Sequence, residues 1–140
     1  MAYKKSAKFA WTGEDLNFAG TLDSGFPVMM KNTADEEGAS PMALFLGSVA
    51  GCTAMDVLSI VQKKRQQVER MEIEIVGQRA DTAPMVYTEV DITYIFYGKE
   101  IDPAAVERAI ELSQTKYCSA SIIFTRAGVE IRTHYDIRDS

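Results

Sequence analysis

The chain of 140 residues carries a net charge of -5, is 46% hydrophobic and 25% charged, and holds only two cysteines and one histidine. Those totals fit a single folded domain over residues 1–140 and exclude a disordered or collagen-like chain. An acidic surface offers no broad cationic face for a phosphate backbone, so nucleic acid is not expected as a partner. Two cysteines are too few for a disulfide scaffold. With His134 and no close cysteine pair, they do not complete a four-ligand zinc site in the usual spacings, so no metal and no cofactor are expected.

The opening "MAYKKSAKFAW" alternates polar and apolar residues without a continuous apolar run, so a cytoplasmic protein is expected. Residues 2–31 read as a three-stranded meander. Phe9 and Trp11, then Leu16, Phe18 and Leu22, then Phe26, Val28 and Met30 alternate, with turns at "TGED" and "DSG". Residues 32–40, "NTADEEGAS", read as a mobile acidic loop.

Ser40 and Pro41 mark a helix entry: a side-chain oxygen for an orphan N–H, then a proline whose missing donor would be unpaired anyway. From Met42 to Val61 the apolar residues surround the axis, which predicts a helix buried on most sides. Its rise of about 30 Å would span a bilayer. Asp56 within the run, and strand patterns on both sides, favour a central core helix over a membrane span. Gly47, Ala50 and Gly51 predict close approach of another element, and Lys63, Lys64 and Arg65 oppose the dipole at its C-terminus.

Two strands follow. Met71, Ile73 and Ile75 form the first; in the second, Val86, Thr88, Val90, Ile92, Tyr94 and Phe96 share one face, with Tyr87, Glu89 and Asp91 on the other. Asp102 and Pro103 open an amphipathic helix with the stripe Val106, Ala109, Ile110 and Ser113. A short helix from Ser119 to Arg126 stops near Gly128, and a last strand runs from Val129 to Ile137. The order βββ-α-ββ-α-α-β is α+β.

Cys52 lies inside the buried helix, where a free cysteine often serves as a small core hydrophobe. Cys118 sits at a helix junction. If its sulfur faces the first turn of the following helix, free N–H groups and the dipole lower its pKa; the alternative is a linker cysteine packed by Tyr117 and Ile122. Far apart in sequence, the two could still converge in a compact fold. Convergent thiols permit attack on a peroxide by one, giving a sulfenic acid, and condensation with the other to a disulfide. Cys52, read as the deeper thiol, suits the attack, and Cys118 the resolution.

Ser40-Pro41, "GCTAMDVLSI" around Cys52 and "KYCSAS" around Cys118 closely resemble the OsmC/Ohr-like family over nearly the whole chain, with the order of elements intact. The resemblance implies an intertwined homodimer with central helices packed in the middle and active sites built from both subunits. It implies a peroxidatic Cys52, a resolving Cys118, a small organic hydroperoxide as substrate, and a lipoyl-type or other external dithiol as reductant. The family's activating arginine and glutamate have no counterpart: the first arginine is Arg65, and Met42 and Ala43 follow Pro41. Lys31, Lys116 and Arg126 are the candidate substitute cations. Asp56 is read as paired with a lysine or arginine of another element, in this chain or across the dimer. Phe45, Phe124 and Trp11 are core residues or walls of an apolar pocket. The alternative function is a non-enzymatic dimeric redox-sensing or small-molecule-binding relative.

Overall fold

The computed structural model describes residues 3–139. Strands β1 (Ala7–Trp11), β2 (Phe18–Leu22) and β3 (Pro27–Met30) precede α1 (Pro41–Lys63). Strands β4 (Val68–Arg79) and β5 (Tyr87–Gly98) follow, then α2 (Pro103–Leu112), a π-helical turn over Ser113–Tyr117, α3 (Ser119–Arg126) and β6 (Glu130–Arg138). This is the predicted α+β order with one addition, the π turn. The chain falls into two compact units, Met1–Phe45 and Leu46–Ser140.

In the first unit, β1, β2 and β3 form the predicted antiparallel meander in that order. The segment after it is closed by backbone hydrogen bonds and an ion pair. Lys31 N–H donates to the Ala39 carbonyl at 2.9 Å, and Ala39 N–H to that of Met29 at 3.1 Å. The Lys31 ammonium lies 2.6 Å from Asp35 Oδ2, which raises the lysine pKa and lowers that of the carboxyl. The expected helix entry is present: Ala43 N–H donates to Ser40 Oγ at 3.2 Å, and Pro41 is the first helical residue.

Helix α1 is apolar all round, but the chain buries only one stripe of it: Val49, Ala50, Thr53, Val57 and Val61. Spacing of about four residues puts these on one side. The expectation of burial on most sides is therefore corrected for the single chain: Met55 is 75% exposed, and Ser48 and Ser59 are exposed as well. A Cβ placed on Gly47 or Gly51 would meet no atom of another element within 4 Å among the described residues, so neither glycine accommodates a close neighbour there. Periodicity reports which residues avoid water, not what covers them.

The second unit is built on the sheet β4-β5-β6. Strand β5 pairs antiparallel with β4 and parallel with β6. A parallel return needs a long crossover, which α2, the π turn and α3 supply. Val90, Ile92, Tyr94 and Phe96 alternate along β5 and are fully buried, sharing the core with Val106, Ala109 and Ile110 of α2. On the other side of β5, Asp91 accepts from Arg132 Nε and Nη2 at 2.9 Å and lies 3.0 Å from His134 Nε2. These partners hold its carboxyl well below the usual carboxylate range.

The predicted alternation fails at the start of β5. The register shifts between Gln78 and Arg79, whose partners are Glu89 and Tyr87. This bulge leaves Thr88 as the extra residue and inverts the pattern. Tyr87 is buried, its ring 5.7 Å from that of Phe124, while Val86 is exposed. Gly77 makes room for it, since a Cβ there would sit 2.7 Å from the Tyr87 ring.

Asp102 caps α2 as predicted, its Oδ1 accepting from Ala104 N–H at 3.0 Å ahead of Pro103. Helix α3 ends at Gly128, whose φ of 92° is the left-handed geometry that stops a helix.

Candidate functional site: a buried dithiol beside a carboxylate

Cys52 and Asp56 stand one turn apart on α1, so both side chains lie on one side of it. Both are half-buried. Cys118 is fully buried at the cap of α3, where its sulfur accepts from Ser121 N–H at 3.3 Å. The two sulfurs and a carboxylate oxygen of Asp56 all lie within 4.8 Å of one another. Both cysteines are free thiols. A disulfide needs about 2.05 Å, so closing the gap takes a side-chain rotation or a small shift of α3. The sequence-distant thiols do converge.

Two expectations about them change. Within this chain Cys118, not Cys52, is the deeper sulfur. Its thiol does face the first turn of α3, yet its pKa is raised: burial is the largest cause, the Ser121 contacts pull it down, and the neighbouring Cys52 pushes it up again. Loss of water around a thiolate outweighs one backbone N–H.

A polar network extends behind the thiols. Thr53 Oγ1 lies 2.8 Å from both Tyr94 Oη and Ser113 Oγ, and Ser113 Oγ lies 3.1 Å from Asp56 Oδ2. Hydroxyl valence fixes the direction. Ser113 gives its only proton to the Asp56 carboxylate, so Thr53 must donate to Ser113 and Tyr94 to Thr53. The amide nitrogen of Gln114 lies 3.2 Å from the side-chain oxygens of Thr53, Tyr94 and Ser121 and shares its two protons among them. Burial raises the Tyr94 pKa, which keeps its proton available to this chain.

The π turn makes these contacts possible. Cys118 N–H bonds the Ser113 carbonyl at 2.7 Å, five residues back, and the widened turn lets Ser113 and Gln114 both reach residues of α1. Sequence reasoning placed Ser113 on a core stripe and overlooked Thr53, Tyr94, Gln114 and Ser121. The available signal was the polar Thr53 and Ser113 within otherwise apolar stripes.

Among the described residues no lysine or arginine bonds to Asp56 or to either sulfur. Within this chain the carboxylate expected to be paired with a cation is held by Ser113. Lys31 is taken by Asp35, and the Lys116 ammonium lies 5.2 Å over the Tyr117 ring. Arg126 stands in the last turn of α3. Phe124 is core; Trp11 is exposed with its indole N–H on the Asp15 carbonyl at 3.0 Å, and Phe45 is exposed.

An α+β fold with a half-buried thiol on a long helix, met by a second thiol at the cap of a short one, defines a dithiol protein whose paired sulfurs are consistent with redox function. The family described as OsmC-like protein matches residues 34–134. Escherichia coli protein YhfA is 36% identical over 131 residues, covering 94% of this chain and 96% of that protein. The chain belongs to the OsmC-like family. A structure of a hypothetical protein from Aquifex aeolicus matches with a TM-score of 0.86 and 27% identity, covering 99% of each chain. The organic hydroperoxide resistance protein OsmC of Legionella pneumophila matches with a TM-score of 0.70 and 14% identity, over 97% of this chain and 98% of that one.

Proposed function

We propose that this protein is a thiol-dependent peroxidase that reduces organic hydroperoxides through Cys52 and Cys118. The observation that carries the reading is the approach of the two sulfurs to within 4.8 Å of each other. Family membership and the shared fold of an organic hydroperoxide resistance protein support it. Cys52 is assigned the attack because it is the accessible sulfur, whereas Cys118 is closed off within the fold.

The Cys52 thiolate attacks the terminal oxygen of R–O–O–H; the O–O bond breaks, the alkoxide leaves and takes up a proton as ROH, and the sulfur becomes a sulfenic acid. The Cys118 thiolate then attacks the Cys52 sulfur, a disulfide forms, and hydroxide departs as water on protonation. An external dithiol of lipoyl type returns the pair to thiols. The working unit is a homodimer, in which a second copy covers the exposed side of α1.

Stoichiometric alkyl hydroperoxide should convert the protein to an intramolecular disulfide, seen by mass as the loss of two hydrogens. Cys52→Ser should abolish turnover, and Cys118→Ser should accumulate a sulfenic acid on Cys52 that dimedone traps. An unchanged dithiol after treatment would refute the proposal. Among the described residues no lysine or arginine bonds to Cys52, which favours a second reading, a redox sensor that forms the disulfide without sustained turnover. Multiple turnovers with excess dithiol reductant would exclude it.

A further inference from the structure

We propose that in the reduced protein Cys52, Asp56 and Cys118 form a binding site for a thiophilic divalent cation of the zinc class. The site uses the side chains of the dithiol reading but does not require any reaction with peroxide.

Three donors converge from two elements, all within 4.8 Å of one another. A tetrahedral ion with zinc–sulfur bonds of about 2.3 Å holds its ligand atoms roughly 3.5–3.8 Å apart, so binding requires only a contraction of about 1 Å. Cys52 and Asp56 are fixed relative to each other by one helical turn. Outer hydrogen bonds of the kind that orient metal ligands are in place: Ser113 donates to Asp56 at 3.1 Å, and Ser121 N–H to Cys118 at 3.3 Å. Charge points the same way. Deprotonated, the trio carries three negative charges, and among the described residues no lysine or arginine bonds to it. A divalent cation offsets most of that charge and stabilises both thiolates. Two sulfur donors discriminate against magnesium and calcium, and three ligands leave a fourth position for water on the half-buried side of Cys52 and Asp56.

The test is an anaerobic titration of the reduced full chain with Co2+, then displacement by Zn2+ against a chromophoric chelator. One cobalt per chain is expected, with tetrahedral d–d bands and thiolate charge-transfer absorption. Both should vanish after diamide has converted the pair to the disulfide. Asp56→Asn retains an acceptor for Ser113 and should weaken the affinity at least about 10-fold, the lower end of what even outer ligands contribute. Cys118→Ser should lose about half the charge-transfer intensity. An octahedral spectrum, equal binding by reduced and disulfide forms, or an unchanged affinity in Asp56→Asn would overturn the site. Diamide makes the disulfide without peroxide, so failure of the peroxidase reading leaves these outcomes readable.

Discussion

Replacing Thr53 by Val keeps the shape of a fully buried side chain and cuts the hydroxyl relay at its centre. Thr53 holds Tyr94 and Ser113 at 2.8 Å and receives Gln114 at 3.2 Å. Ser113 still donates to Asp56, and Gln114 still reaches Tyr94 and Ser121. Tyr94 fares worse: its oxygen keeps the Gln114 donor, but its own proton loses its acceptor inside the core. An orphaned buried donor costs about 1–3 kcal/mol and the lost Thr–Ser bond about 1 kcal/mol. The added methyl returns about 0.8 kcal/mol. A destabilisation of about 1–3 kcal/mol is expected, read from denaturant midpoints at one fixed protein concentration. Tyr94→Phe removes the orphaned proton, so it should cost about 1–2 kcal/mol less in the Thr53→Val background than in the wild type. Equal costs in the two backgrounds, or a Val variant as stable as wild type, would refute the deduced direction of the relay.

Gly77→Ala should destabilise by about 1–3 kcal/mol, as overpacking does, because the new methyl would stand 2.7 Å from the Tyr87 ring; a thermal melt unchanged from wild type would show that the ring moves freely. Cys118 should be alkylated far more slowly than Cys52 at neutral pH, as peptide mapping after iodoacetamide would reveal. Because burial raises its folded pKa, the folded state keeps a proton that the unfolded chain releases near pH 8.5. Stability from this thiol is therefore full below about pH 8.5 and falls as pH rises toward the folded value. Cys118→Ala should flatten that decline, and an identical slope in variant and wild type would count against it.

Much of the architecture was legible because its signals are local. Ser40-Pro41 and Asp102-Pro103 announce helix starts through the chemistry of orphan N–H groups, and both caps form as read. Gly128 announces a stop for an equally local reason. The face of Tyr87 was not legible: one extra residue at Thr88 inverts a strand, and nothing in its side chain reports the register. The π turn was likewise hidden, since its polar residues resemble a fraying helix end until Thr53 and Asp56 are opposite them.

By itself, then, the sequence determined the elements, their order, the family and the two thiols, because caps, periodicity and motif residues act over a few positions along the chain. Tertiary structure decided which sulfur is deeper, that a carboxylate shares their site, and that a buried hydroxyl relay from Tyr94 ends on it. Those outcomes depend on long-range packing of α1 with the π turn and α3, where loss of water, and not nearness to a helix end, sets the charge state of Cys118.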